Sequence, residues 1–444
     1  MICPIALIVA TALFAAIAWR DVRHGAYLIA AALPAYLLRF SVGPIPMTFL
    51  ETMILVLVCI YIAKTRPSLR SIVPKGWALP MGLLLIAATV GVLVAPDRLS
   101  ALGIWKAFYV EPMMLFVVIV GLLRRDDHPC PLLPIRRGND GLTVDGLVVA
   151  LAAGGLFVAT FAIVQKVLGV GIPIPWDVEG RVTSVFPYPN AVGLYLGPIV
   201  VMSSLLSLRG PKAEAILWKG LLRFARNDKR TLWISTAAIG SVAIILAQSE
   251  AAIAAVAATV FLAAVSTKRF RKAAVSVAVI ATVLVAAISP LRHYALDKLT
   301  FHDYSETVRL SQWTETVTMI KDRPIFGAGL NGYPTAMIPY HKDAQFEIFQ
   351  YPHTLLLNIW VELGVLGLIA FALLAYRVLI TVFPSPSKGE GQGEVYAVLF
   401  VLLETVIHAC FDVPYFKNDL ATMTWIFLAV IAATSYAKNP RVLE

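Results

Sequence analysis

Charge is what this sequence has least of. Of its 444 residues only 14% are Asp, Glu, Lys or Arg, while 59% are hydrophobic and the mean hydropathy is +0.78. A soluble domain carries roughly 25% charged residues, so this composition argues against a water-soluble globular chain. Cysteine is scarce too: Cys3, Cys59, Cys130 and Cys410 have no paired spacing, which leaves no zinc, redox or disulfide framework. Nucleotide-sugar, serine-hydrolase, zincin and P-loop signatures (D-x-D, G-x-S-x-G, H-E-x-x-H, GxxxxGK[ST]) are missing. So are the alternating ten-residue strands of a membrane β-barrel. The sequence shows no repeat of fixed period, and no matched pair of broken helices of the kind many transporters carry.

What is present is a succession of apolar runs of about 15 to 25 residues. In lipid every backbone polar group must pair internally, which favours helices. The expected fold is all-α, a polytopic membrane protein of about 12 to 13 spans. These lie near 2–18, 26–40, 47–63, 77–95, 104–123, 146–168, 190–208, 231–247, 250–266, 273–289, 354–382, 395–411 and 422–436. The first run lacks the basic flank and cleavage site of a signal peptide and reads as a retained span.

A net charge of +10 could point to nucleic acid, but its placement argues against that. Lys64, Arg66, Arg70 and Lys75 share one short loop, Arg209 to Arg230 form a basic segment, and Lys268, Arg269, Arg271 and Lys272 fill a third loop. An even number of spans separates these loops, so all three fall on one side, the cytoplasmic one by the positive-inside rule. Loops 169–189, 290–352 and 412–420 then face outward. The expected division is a bundle of about ten spans over 1–289, a large extracytoplasmic loop over 290–353, and C-terminal helices over 354–444. Pro384–Val395 reads as a polar linker.

The large loop is far longer than an ordinary connection. Within it Leu310, Trp313, Val317 and Ile320 fall on one helical face, Asp303 with Glu306 fits a capping box, and Pro324 ends the run. This predicts an amphipathic helix lying on the membrane or on the bundle.

Ionisable groups near spans are functional candidates because burying them in lipid is costly. Lys106 and Glu111 sit in the fifth span, and Lys166 ends the sixth. Arg181 lies in a Pro- and Gly-rich loop just ahead of the Pro-Asn190 that opens the seventh. A helix N-terminus beside an arginine is a ready anion site. Arg309 lies one turn from Trp313, and His353 stands immediately before an apolar helix. Glu404, His408 and Asp412 recur every four residues on one face. Each also has a plainer reading: the lysines can snorkel, Glu404 and His408 can be an interhelical pair, Arg309 can meet lipid headgroups, and His353 can cap its helix. Taken together, the candidates are cation-rich, outward-facing and metal-free. They suit an anionic lipid head such as a pyrophosphate, gripped by arginines.

The stretch "HTLLLNIWVELGVLG", from His353, resembles the signature of the O-antigen ligase and polymerase superfamily, with Gly364 and Gly367 at the fitting distances and Thr354 where Asn, Ser or Gln is more usual. "RVTSVFPYPNAVGLYLGP", "RLSQWTETVTMIKDRPIFGAGLNGY", "KAFYVEP" and "HACFDVPYFKND" resemble further segments of that family, in the same order. The resemblance implies a metal-independent, inverting glycosyl transfer without cofactor. The donor would be a glycan on undecaprenyl pyrophosphate, and the acceptor a glycan, lipid or protein hydroxyl. It implies His353 as the base and Arg181 and Arg309 as the pyrophosphate clamp. Lys106, Glu111, Lys166, Asn190, Trp313, His408 and Asp412 would be supporting residues. The expected location is the cytoplasmic (inner) membrane with the site facing outward, in contact with membrane lipids and with no nucleic acid. The alternatives are a repeat-unit polymerase and a flippase of lipid-linked sugars; the outward clustering of the cations favours an enzyme over a flippase.

Overall fold

The computed structural model describes residues 4–43, 45–67, 73–123, 142–208, 229–300, 304–342, 345–383 and 392–437. Cys3, Cys130, Arg70, Asp303, the 209–228 part of the basic segment and the 384–391 part of the linker lie outside them. The protein is a helical membrane protein whose only sheet, among the described residues, is the hairpin Arg39–Val42 with Ile45–Thr48.

Helix occurs at every expected span. Among the described residues five helices are long and apolar enough to cross a membrane: Arg98–Leu123, Val144–Leu168, Pro189–Ser207, Lys229–Leu246 and Leu355–Val382. Arg271–Ala287 and Ser289–Lys298, bent by 100°, would together make a sixth. Pro4–Arg20, Ala78–Val94, Glu250–Ser266 and Asn418–Ala433 are apolar but shorter. The expected span 26–40 differs most. Its helix, Val22–Ala31, gives way to a 3₁₀ turn at Leu33–Leu37 and then to the hairpin. Pro34 near the start of that turn has no N–H to continue an α-helix. Large apolar side chains lie exposed on many of these helices, and Arg271–Ala287 buries no residue at all, which fits surfaces made for lipid.

The large loop is structured. After Ser289–Leu299 comes helix Tyr304–Asp322, then the short helix Tyr333–Met337. Met319, Ile320, Ala328, Tyr333, Met337 and Val361 form a separate small core that joins the loop to helix Leu355–Val382. Only part of the expected face of Tyr304–Asp322 turns inward: Ile320 is buried and Trp313 half-buried, but Leu310 and Val317 are not. Val308, Gln312, Glu315, Thr316, Met319 and Ile320 are buried, whereas Leu310 and Val317 are each 41% exposed. Apolarity misled here because the inward face carries polar groups that bond to the neighbouring chain.

The loop locks onto helix Leu355–Val382 by entering its hydrogen-bond ladder. A regular helix would bond Val365 N–H to Val361 C=O. Instead Val365 N–H donates to Ile325 O at 3.0 Å and Val361 O accepts from Ala328 N–H at 2.7 Å. One helical bond is exchanged for two tertiary ones, and Trp360 Nε1–H adds a third to Pro324 O at 2.7 Å. The exchange needs Gly364 at φ 64°, ψ −164°, a region open essentially to glycine alone, and a Cβ there would lie 2.0 Å from Ile325 O. Gly327 is the matching requirement on the loop side, where a Cβ would lie 2.2 Å from Val361 O.

Candidate active site

Three chain segments meet where helix Leu355–Val382 begins. Its first N–H, on Leu355, has no intrahelical partner and donates to Ala409 O at 3.0 Å, at the end of helix Gln392–His408. Thr354 Oγ1–H donates to the same carbonyl at 3.3 Å. From the loop, Trp313 Nε1–H donates to Pro352 O at 2.7 Å and Gln312 Nε2–H to Tyr351 O at 2.9 Å. His353 is thus held on both sides, and its φ of 49° is left-handed. Histidine visits that region more often than most residues, but it still carries a local cost that the flanking bonds must offset.

The imidazole Nδ1 of His353 faces Asp412 Oδ1 at 3.7 Å, and its ring meets Phe349 edge-on with centroids 5.2 Å apart. The His353 side chain is 28% exposed and that of Asp412 9%. Burial alone would raise the Asp412 carboxyl. The His353 imidazole, the nearby His408 and the Val413 N–H outweigh it and hold the group below the usual carboxylate range. A carboxylate at Nδ1 favours the tautomer with the proton there, which leaves Nε2 as an acceptor.

Arg181 is placed by a loop that Gln165 organises. The buried Gln165 amide accepts from Thr183 and Ser184 N–H at 3.1 and 2.7 Å, and donates to Gly171 O and Ser184 O at 2.7 and 3.0 Å. Lys166 Nζ donates to Gly180 O at 2.7 Å, so this lysine supports the same turn. Arg181 then reaches across. Nε–H donates to Ala247 O at 3.1 Å, and Nη2–H to Asn190 Oδ1 at 3.0 Å and to Gln248 O at 3.4 Å. Nη1–H meets Glu179 at 3.4 Å, and the guanidinium lies over the Trp176 ring at 5.2 Å. Four of the five guanidinium N–H groups are therefore directed at protein acceptors, which fixes the fork in one orientation.

Arg309 is the opposite case. It is half-buried, one helical turn before Trp313 on the same face, and it makes no hydrogen bond or ion pair with the described residues.

The remaining candidates divide. Lys106 Nζ bonds Glu51 at 2.8 Å and lies 3.8 Å from Glu111; Asn418 Nδ2–H joins the same Glu51 at 3.2 Å. This group ties helix Phe49–Thr65 and the π-helical turn Trp105–Val110 to helix Asn418–Ala437, and among the described residues no hydrogen bond or ion pair links it to His353. His408 Nδ1 faces Glu404 at 3.3 Å, with both side chains fully enclosed, so this pair is interior and stands one turn behind Asp412.

Two residues were not singled out in the sequence. Gln165 is one. Lys417 is the other: its ammonium lies over the rings of Phe186, Tyr36 and Tyr188 at 4.5, 5.3 and 5.8 Å, and 3.5 Å from Asp419. Burial pushes it below the usual lysine value, against the pull of Asp419 and Asp412. Phe186 and Tyr188 belong to the Arg181 loop, so Lys417 joins that loop to the turn that carries Asp412. Its only sequence signal was its place in "FDVPYFKND".

The family description O-Antigen ligase matches residues 235–372. That stretch contains Ala247 and Gln248, Arg309, Trp313, His353 and the Gly364 break, while Arg181, Asn190, His408 and Asp412 lie outside it. No curated protein matches the chain. The match over residues 235–372 and the ordered motifs point the same way, and they support the O-antigen ligase superfamily for this membrane protein.

Proposed function

We propose that the protein transfers a glycan from undecaprenyl pyrophosphate to an acceptor hydroxyl at the outer face of the cytoplasmic membrane. The carrying observation is His353, held at its backbone from both sides, with the Asp412 carboxylate 3.7 Å from Nδ1. A neutral imidazole suits abstraction of a sugar hydroxyl proton, worth about 10²–10⁴-fold. In this reading the acceptor O–H gives its proton to Nε2 as its oxygen bonds the anomeric carbon. The anomeric C–O bond to phosphate breaks, and the electron pair leaves on the pyrophosphate.

Negative charge therefore builds on the leaving phosphate, where fixed cations stabilise it best if water is scarce. Arg181 supplies a cation fixed in place with one uncommitted N–H on Nη1, and Arg309 supplies a cation without a protein partner among the described residues. Asn190 and Lys166 position Arg181, and Trp313 positions His353.

A polymerase that joins repeat units would use the same chemistry. Deleting the gene and following the surface glycoconjugate tests the proposal. Free glycan left on the lipid carrier indicates a ligase, shortened glycan chains indicate a polymerase, and an unchanged glycoconjugate profile counts against both.

A further inference from the structure

The turn that leads into Arg181 carries the most exposed apolar side chains of the described residues. Val178 is 86% exposed, Ile174 84% and Val167 77%, ahead of every other large hydrophobic side chain among them. Leu168 and Val170 follow at 63% and 60%. Apolar surface gathered in one place marks a docking surface for protein or membrane.

The exposure is built in, because the turn is fixed. Gln165 Nε2–H donates to Gly171 O at 2.7 Å, and Lys166 Nζ to Gly180 O at 2.7 Å. Within the turn Trp176 N–H and Asp177 N–H donate to Pro173 O at 2.9 and 3.3 Å, and Arg181 N–H to Trp176 O at 3.0 Å. Ile174 and Val178 stand one helical turn apart and share a face.

What covers that face follows from the helix before it. Val144–Leu168 is long and apolar enough to cross a membrane. Its exposed residues Phe157, Phe161, Val164 and Leu168 recur every three or four positions and so form one lipid-facing stripe. The chain passes from that stripe directly into Val170, Ile174 and Val178. The helix has 25 residues, about 37 Å at 1.5 Å each, against a hydrocarbon core of roughly 30 Å. Its end therefore emerges at the headgroup boundary, where the turn begins.

Two carboxylates limit the depth. Asp177 and Glu179 flank Val178 and are exposed; Asp177 accepts from Val178 N–H at 2.9 Å, and Glu179 meets Arg181 at 3.4 Å. Charge is costly in hydrocarbon, so the turn can enter only shallowly. Trp176 is half-buried with its ring 5.2 Å from the Arg181 guanidinium, and an indole favours the headgroup level.

We propose that Val170–Val178 is a lipid-docking wedge. Val170, Ile174 and Val178 seat at the boundary between acyl chains and headgroups, and Arg181 is thereby held at the depth of lipid phosphates. The wedge rests on the membrane fold alone; its use in meeting a lipid-borne diphosphate rests on the glycosyl-transfer reading.

Depth-dependent quenching tests it on the full-length protein in phosphatidylcholine nanodiscs. Ile174→Cys and Val178→Cys are labelled with bimane in a chain whose four native cysteines are replaced by alanine. Phe157→Cys, near the middle of its helix, is the deep reference, and a bimane–glutathione adduct is the aqueous one. At both wedge positions a lipid spin-labelled high on its acyl chain should quench several-fold more than one labelled near the chain end. Iodide should quench them several-fold less than it quenches the adduct, and Phe157→Cys should reverse the order of the two lipids. Iodide quenching equal to that of the adduct overturns the wedge. Protection from iodide and from both lipids also overturns it, since a protein or a second copy then covers the face. Stronger quenching from the chain end contradicts the shallow depth.

Ile174→Asp combined with Val178→Asp changes only exposed side chains. It should raise KM for a lipid-linked donor several-fold at unchanged kcat, and an unchanged KM overturns the role in placing Arg181. His353→Ala should keep the wild-type quenching pattern, so failure of the proposed base and failure of the wedge are read separately.

Discussion

Arg181 and Arg309 are the same residue type in two opposite situations. Arg181 is held at four protein acceptors and over an indole ring, and its side chain is 18% exposed. Arg309 stands on helix Tyr304–Asp322 without a partner among the described residues. A pinned guanidinium has already lost its rotational freedom and presents a fixed charge with one N–H to spare. A free one must be ordered by whatever it meets, at about 2 kcal/mol of rotamer entropy. The contrast suggests a division of labour, in which one arginine defines where an anion sits and the other closes on it.

Substitution can break that comparison, and the largest effect should come from Arg181→Ala. It removes a cation and also leaves Ala247 O and Asn190 Oδ1 without their donor, so both turnover and thermal stability should fall. One charge-assisted hydrogen bond is worth about 1.5–3 kcal/mol, on the order of 10–100-fold in transfer rate. Arg181→Lys should rescue little, since an ammonium cannot reproduce a fork. Near-complete rescue by lysine would mean that only charge matters. Next is Trp313→Phe, which deletes the N–H on Pro352 O while keeping the ring. A drop in kcat of about tenfold with donor binding preserved is expected from loosened base geometry, and unchanged kcat would remove Trp313 from that role.

Arg309→Ala should be milder and of a different kind. It should weaken the donor interaction about tenfold without lowering the melting temperature, and Arg309→Lys should recover much of the loss. A stability loss equal to that of Arg181→Ala would erase the comparison. Smallest is Glu179→Gln, which removes a half-exposed carboxylate 3.4 Å from Arg181. Stability should stay within about 0.5 kcal/mol, while donor binding tightens slightly because the guanidinium loses a competing anion. Weaker donor binding would mean that Glu179 orients Arg181 instead of competing for it.

Much of this was legible in the sequence, for identifiable reasons. Apolar run length sets helix existence, so helix occurs at each expected span. Asn190, chosen for its place at a helix start, does accept from Arg181, and Trp313 does reach the His353 turn. The spacing of His353 and Gly364 was visible, but the purpose of the glycine was not. Gly364 serves the insertion of Ile325–Ala328 into a helix, a contact between chain segments that no local pattern encodes. The face of Tyr304–Asp322 was read only in part, because apolar periodicity assumes that the inward side is greasy, and here Gln312, Glu315 and Thr316 turn inward to bond neighbouring segments. Gln165 and Lys417 escaped notice for the same reason: their partners lie 6 to 19 residues away for Gln165, and for Lys417 in distant segments of the chain.

The central claim is that His353 takes the acceptor proton. The most direct measurement is single-turnover glycan transfer from a lipid-linked donor by the full-length protein and by His353→Ala, with donor binding followed in parallel. The account predicts a rate lower by about 10²–10⁴-fold with donor affinity nearly unchanged. Transfer by His353→Ala at the wild-type rate would contradict it.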